Sequence, residues 1–267
     1  MRTQQVKLLS SILSNEYLFF ILLMVLTAFP VGFFAGLFGI GGGLITVPFL
    51  FFIFDSLGIN PNYLMHLAVG TSFSIIIPTY NHSEYLKRAL NSVLNQTYEN
   101  WEAIVIDNYS SDNTSEVVDN FKNNKIKYLK VKNNGVIAIS RNAGLKIAKG
   151  EWVAFLDSDD WWTKDKLEIC IKNIDDNVDF IYHDLEIRSN NPKIFSRKNI
   201  KSRKLKKPVL IDLLVDGNAI SNSSAIVRKK FLDKINGINE NKELIAAEDY
   251  NAWLRIAQLT DQFLYLP

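Results

Sequence analysis

Hydrophobic and polar positions from residue 73 onward alternate between two periods. Phe73-Ser74-Ile75-Ile76-Ile77 is a short β-branched run closed by Pro78, the pattern of a buried strand. Leu86, Ala89, Leu90, Val93 and Leu94 then recur at helical spacing. Trp101-Glu102-Ala103-Ile104-Val105-Ile106 reads as a second strand ending at Asp107. Asn113 with Glu116 three residues on predicts a capping box for the next helix. Ile126 and Tyr128 alternate as in a third strand, and a helix is predicted over 136–148 with Gly150 as its C′ residue. The apolar run Trp152-Val153-Ala154-Phe155-Leu156 follows, and the next four positions are Asp157-Ser158-Asp159-Asp160. Strands alternating with helices of this length predict βαβ units and an α/β fold with a mostly parallel sheet. Ligands of such sheets bind beyond the carboxyl ends of the strands. Pro78-Thr79-Tyr80-Asn81, Asp107 and Asp157-Ser158-Asp159 all fall there, so three strand ends converge on one crevice.

The chain before residue 73 follows another pattern. No charged residue occurs in 17–54, a stretch longer than the roughly 20 residues that span a bilayer. Pro30, Gly32, Gly36, Gly39, Gly41, Gly42, Gly43 and Pro48 interrupt it. Two closely packed hydrophobic segments with an irregular middle therefore fit better than one straight helix. The stretch is too long for the apolar core of a signal peptide. Its glycine cluster lacks the Lys-Ser/Thr of a phosphate-binding loop. A hydrophobic membrane segment over 1–72, followed by an α/β domain over 73–267, is the expected organisation.

Composition narrows the chemistry. Among 267 residues, 22% are charged and the net charge is +2, so no global field points to nucleic acid. The single cysteine, Cys170, excludes an internal disulfide, and its apolar neighbours mark it as a buried thiol. His66, His82 and His183 lack metal-ligand spacing, which argues against zinc. His183 is expected on a strand, in a packing role or beside an acceptor cleft. The stretch 193–207 is densely basic, with Lys193, Arg197, Lys198, Lys201, Arg203, Lys204, Lys206 and Lys207. It is either a solvated loop or a contact for anionic lipid headgroups or a lipid diphosphate.

The acidic cluster carries the most information. Carboxylates this close repel unless a cation lies among them, and hard oxygen ligands suit Mg²⁺ or Mn²⁺ bridging to a diphosphate. A solvated acidic loop is the plain alternative, and for an isolated Asp-x-Asp it is the better one.

Five motifs in order reverse that preference. Ser74-Ile75-Ile76-Ile77-Pro78-Thr79-Tyr80-Asn81, the stretch from Val105 through Asp107-Asn108 to Thr114, Ser140-Arg141-Asn142-Ala143-Gly144, the Asp157 cluster and Ala247-Glu248-Asp249-Tyr250-Asn251-Ala252-Trp253 together closely resemble glycosyltransferase family 2 over 73–267. The resemblance implies a GT-A fold and inverting transfer from a nucleotide-sugar of the UDP or dTDP type to a glycan or lipid-linked acceptor. It implies that Pro78, Thr79 and Tyr80 line the base and ribose pocket, that Asp107 accepts a hydrogen bond from the nucleobase and that Arg141 meets the nucleotide or its phosphates. By the same resemblance Asp159 binds the divalent metal, Mg²⁺ or Mn²⁺, and Asp157 supports it through water or the ribose. Asp160 is assigned either to that site or to capping a helix starting near Thr163. Asp249, beside Glu248 at the start of a helix whose inner face includes Tyr250, Trp253, Leu254 and Ala257, is the implied general base. Many family members carry a second Asp where this chain has Asn108, and most continue past Pro267, which implies a shortened carboxyl-terminal part.

The segment from Phe34 through Gly41-Gly42-Gly43 to Pro48, with His66-Leu67-Ala68-Val69-Gly70-Thr71-Ser72, resembles the amino-terminal part of the TauE/SafE family of membrane anion exporters over about 17–72. That resemblance implies a membrane location, with the transferase domain on the cytoplasmic side. It also keeps open a membrane transport fragment, or an inactive fusion of exporter and truncated transferase.

Overall fold

The computed structural model describes residues 72–188 and 199–267. The hydrophobic membrane segment expected over 1–72 lies outside the described residues, apart from Ser72. Among the described residues, no helix is long and apolar enough to cross a membrane.

Seven strands form the central sheet in the order β3-β2-β1-β4-β8-β5-β9. β1 (Phe73–Thr79) pairs in parallel with β2 (Trp101–Asp107) on one side and with β4 (Trp152–Phe155) on the other. β3 (Ile126–Lys130) extends the parallel part beyond β2. β8 (Ile226–Arg228) runs antiparallel to both β4 and β5 (Phe180–His183), and β9 (Phe263–Leu266) closes the far edge parallel to β5. The chain builds β1, β2 and β3 outward in one direction, then crosses back to place β4 on the other flank of β1. The carboxyl ends of β1 and β4 therefore bracket a topological switch point, where an open α/β sheet leaves a crevice.

Both faces of the sheet are covered, which is why β1, β2 and β4 read as continuous apolar runs rather than alternating ones. Phe73, Ile75 and Ile77 face a core made with α1 (Ser83–Leu94), α2 (Thr114–Phe121) and α4 (Lys166–Lys172). Ile76, Val153 and Phe155 face a second core with α3 (Ile137–Ile147), α5 (Val209–Asp216), α6 (Lys229–Lys234) and α7 (Glu248–Ala257). Cys170 sits in the first core, 1% exposed. A short antiparallel pair, β6 (Leu185–Glu186) with β7 (Asn199–Ile200), stands apart from the main sheet.

Three local expectations change. The Asn113–Glu116 capping box does not form; Asp112 binds the Thr114 amide at 3.1 Å with one oxygen and the Ser83 amide at 2.9 Å with the other, tying the starts of α2 and α1 together. Helix α4 begins at Lys166 rather than near Thr163, and its N-cap residue is Asp165, so Asp160 lies outside the cap. Gly150 is not a left-handed C′ residue. Helix α3 ends at Ile147 with Ala148 extended, and Gly150 is needed for a close approach: a Cβ there would lie 2.5 Å from the Ser74 amide nitrogen and 2.8 Å from the Phe73 carbonyl carbon. Both obstacles are backbone of the central strand and cannot swing away. Gly150→Ala should destabilise the domain by about 1–3 kcal/mol, the usual cost of overpacking, measured by denaturant unfolding followed through tryptophan fluorescence.

Candidate active site

The loops after β1 and β2 are stitched together before any ligand arrives. Asn81, at φ 52°, accepts the Ser111 amide at 2.8 Å through its side chain, and its own amide donates to Ser110 Oγ at 2.9 Å. An asparagine tolerates that left-handed conformation better than a branched residue would. Asp107 ends β2 with its carboxylate 1% exposed, taking the Ser110 amide at 2.8 Å and the Tyr128 hydroxyl at 2.6 Å. Burial first, then the Asp107 carboxylate, pushes the Tyr128 phenol well above its ordinary pKa. Asp107 therefore supports the loop from beneath, and its neighbour Asn108 reaches the surface of the crevice.

That crevice is a cleft of about 470 Å³ lined by Thr79, Tyr80, His82, Asn108 and Asp157–Asp159, with Pro78 and the 133–137 turn completing the wall. Tyr80 is 55% exposed at the rim, and Thr79 Oγ1 is buried in the wall without a partner among the described residues. An orphaned hydroxyl on a cleft wall is a group awaiting a ligand or an ordered water.

The acidic loop after β4 is gripped from several sides. The Asp157 amide donates to Ser223 Oγ at 3.0 Å, and Asp157 Oδ1 takes Arg141 Nη2 and Asn222 Nδ2, each at 3.0 Å. Ser158 Oγ meets His82 Nδ1 at 3.0 Å. Arg88 donates to the Asp159 carbonyl at 2.7 Å while its guanidinium stacks 3.7 Å above the Trp161 ring. With its backbone held in this way, Asp159 turns an exposed carboxylate outward. That carboxylate and Asp157 Oδ2 accept no hydrogen bond among the described residues. Two hard oxygen donors with unspent lone pairs fit a Mg²⁺ or Mn²⁺ ion that draws its remaining ligands from phosphate and water. No group of three or more His, Cys, Asp or Glu side chains forms a metal cage among the described residues.

Arg141, expected to meet the nucleotide or its phosphates, joins two acids. It projects from α3, 3% exposed, and binds Asp157 at 3.0 Å and Glu248 Oε1 at 2.8 Å. Glu248 and Asp249 open α7, which is anchored by Ala252, Trp253, Ile256 and Ala257; Tyr250 and Leu254, expected on the inner face, are only partly buried. Trp253 packs edge-on against Phe155 at 5.7 Å and Phe180 at 4.9 Å, which aims the amino end of α7 at the end of β4. Burial raises the Asp249 carboxyl above the ordinary aspartate value; the Tyr250 amide and Arg141 oppose that shift, while Glu248 and Asp157 add to it. Burial likewise raises Asp160, with Asp157 and Asp159 contributing.

The sequence missed Asn222 and Ser223, the buried turn that clamps Asp157. Ser223 also offers its carbonyl to Trp162 Nε1 at 3.1 Å and to Lys166 Nζ at 2.8 Å. The only local sign was a polar run, Ser221-Asn222-Ser223-Ser224, adjoining an apolar strand. His183 ends β5 as expected, but on the opposite face from Asp249, with its pKa pushed down to about 3 by burial and by Lys166.

The family model described as glycosyl transferase family 2 matches residues 74–235. The chain belongs to that family. A model described as sulfite exporter TauE/SafE matches 24–89, overlapping the first strand and helix of the transferase domain. Among relatives of this family 2 member, the Escherichia coli UDP-Glc:alpha-D-GlcNAc-diphosphoundecaprenol beta-1,3-glucosyltransferase WfgD is 44% identical over 119 residues, 44% of this chain and 47% of that one. S. aureus TarS 1–349, solved in complex with UDP-GlcNAc, superposes with a TM-score of 0.59 at 28% identity, covering 73% of this chain and 56% of that one. The mannosyltransferase PcManGT from Pyrobaculum calidifontis, solved with GDP-Man and Mn²⁺, shares the fold at a TM-score of 0.55 and 19% identity over 73% of this chain and 54% of that one. The chain thus spans about half the length of each of these three proteins.

In this family 2 domain the Arg141 bridge is a structural determinant. Arg141→Gln leaves Glu248 buried opposite a neutral amide and should cost about 3–5 kcal/mol, the penalty for removing one partner of a buried ion pair. Denaturant unfolding at neutral pH reads it directly.

Proposed function

We propose that this protein is an inverting glycosyltransferase that moves a sugar from a UDP- or dTDP-type donor to a hydroxyl of a glycan or lipid-linked acceptor. The observation that carries this reading is the meeting of the β1 and β4 ends with the start of α7 around one buried arginine. In support of it, Asp157, which lines the cleft beside the exposed Asp159, is joined through Arg141 to Glu248, the neighbour of Asp249 with its raised pKa.

In this reading Tyr80 and Pro78 pack against the nucleobase and ribose at the rim, where an aromatic face gives area at little entropic cost. Thr79 Oγ1 finds its missing partner there. Asn108 presents a polar edge to the base, and Asp107 acts through the loop it supports. Asp157 and Asp159 would hold Mg²⁺ or Mn²⁺; when bound, the cation neutralises charge on the diphosphate leaving group. Arg141 keeps Asp157 and Glu248 at fixed separation, so the donor side and the acceptor side of the site cannot drift apart. Asp249 accepts the proton from the acceptor hydroxyl as that oxygen attacks the anomeric carbon opposite the departing nucleotide. Glu248, bonded to Arg141, raises the basicity of Asp249 through its negative charge. Membrane attachment through 1–72, with transfer on the cytoplasmic side, fits a lipid-linked acceptor such as the one named for WfgD. The TauE/SafE match favours a second reading, a membrane transport fragment, which predicts solute flux in reconstituted vesicles.

Three outcomes test the enzyme reading. A UDP- or dTDP-sugar with Mn²⁺ or Mg²⁺ should raise thermal stability, by about 2.7 kcal/mol at a hundred times its Kd; a panel of donors that leaves the melting temperature unmoved would count against it. Asp249→Asn should keep that donor shift while lowering transfer by about 10²–10⁴-fold. The pH dependence has a definite sign. The base works only when ionised, and its folded pKa lies above the ordinary aspartate value, so transfer declines with falling pH sooner than a solvated aspartate would dictate. A kcat/KM profile with its acid limb at the ordinary aspartate pKa removes Asp249 from the role.

A further inference from the structure

Helix α5 has two apolar faces, and only one is used. Val209, Asp212 and Leu213 point into the domain, while Ile211, Leu214 and Val215 stand 53%, 59% and 75% exposed at i, i+3 and i+4. Three neighbouring aliphatic side chains left in water are an interaction surface rather than scattered exposure. The segment just before the helix is laid along it by one buried carboxylate. Asp212, 6% exposed, pairs with Arg203 through Oδ1 and takes the Lys206 amide at 2.9 Å through Oδ2, while Arg203 also donates to the Gly217 carbonyl at 3.0 Å. Lys201, Lys204, Lys206 and Lys207 are all exposed in the segment that this staple leads into the helix, with Lys207 Nζ 3.2 Å from Gln262 Oε1. Lys206 Nζ lies 4.0 Å from Asp216, at the Val215 end of the helix. Two acids flank the helix, Asp216 at its end and Asp261, which holds the Val209 amide at 2.7 Å, against four exposed lysines in the segment before it.

We propose that this surface docks on an anionic lipid bilayer, with Ile211, Leu214 and Val215 entering the headgroup boundary and the lysines meeting lipid phosphates. An aliphatic ridge following a lysine-rich segment suits a fluid surface whose charges rearrange around each ammonium. A protein partner would have to supply fixed carboxylates and a matching groove. The same chain carries the uncharged stretch 17–54, which by its sequence seeks a membrane. The geometry also links the surface to the site: Tyr250 Oη donates to the Leu213 carbonyl at 2.5 Å, fastening α5 to the helix that begins Glu248-Asp249. A docked α5 would hold the start of α7 near the headgroup plane, where a lipid-linked acceptor presents its diphosphate. The docking itself stands apart from the transfer reaction, because its test measures contact with lipid and not turnover.

The experiment uses the full chain reconstituted in vesicles, with an environment-sensitive fluorophore on Val215→Cys and, as control, on Asp119→Cys, an exposed position of α2 at the other edge of the sheet. Cys170 stays unlabelled, being 1% exposed with its thiol pushed up to about 11 by burial. In vesicles containing phosphatidylglycerol, nitroxide lipids should quench the 215 probe several-fold more than the 119 probe. Changing Lys204, Lys206 and Lys207 to Gln should lower the docked-to-undocked ratio about a hundredfold, at about fivefold per lysine, and high salt should weaken quenching. Equal quenching at 215 and 119 overturns the proposal. So does strong quenching that persists in pure phosphatidylcholine or in the glutamine variant, and so does burial of the 215 probe against a protein or a second copy without lipid. Loss of sugar transfer with quenching intact would instead count against the transferase reading alone.

Discussion

Everything at the centre of this domain depends on one guanidinium. Arg141 is almost wholly withdrawn from solvent and lies between Asp157 at the end of β4 and Glu248 at the start of α7. Without it, those two acids and Asp249 would be like charges crowded into a poorly solvated space, and the two elements would move apart. With it, repulsion becomes a bridge. Among the described residues Glu248 Oε2 and Arg141 Nε are buried without a partner, so the bridge has hydrogen-bonding capacity left over. Such capacity costs stability in the resting domain and is the sort of strain that functional sites retain.

The bridge works because the sheet delivers its partners to the right place. Strand order puts β4 beside β1, so the Asp157 loop and the Thr79-Tyr80 corner face each other across the switch point. Trp253 fixes α7 from behind through Phe155 and Phe180, both on strands of the same sheet. The buried turn at Asn222–Ser224 completes the frame from the antiparallel side. Rigid elements carry the polar groups, and the loops between them are short and cross-bonded, which suits a site that must hold its geometry before a ligand binds.

Much of this was legible in the chain. Continuous β-branched runs at 73–77 and 101–106 announced buried parallel strands, and helical spacing at Leu86, Ala89, Leu90 and Val93 announced the layer that covers them, because both patterns follow directly from burial. The crevice followed from the strand-helix alternation, because ligands of a parallel sheet bind at the carboxyl ends of its strands. Partner choice was not legible. Nothing near Arg141 in the chain announces Glu248, 107 residues away, as its partner. The Asn222–Ser223 clamp was hidden for the same reason, since its target lies across the sheet and its own sequence looks like a loop. By its place in the chain Gly150 looks like a helix terminator, but its requirement is space beside β1, a tertiary fact that leaves no local period.

The two faces of α5 separate duties along eight residues. Val209, Asp212 and Leu213 are committed to the domain, and the Leu213 carbonyl is committed to Tyr250. Ile211, Leu214 and Val215 carry no such obligation. One aliphatic side chain can therefore replace another on the outer positions, tuning the helix to one lipid surface or another, while the aim of α7 stays as it is. Variation among close relatives should concentrate on that outer triplet and spare the inner one, so that adaptation to a new environment and preservation of the chemistry draw on different letters of the same short helix.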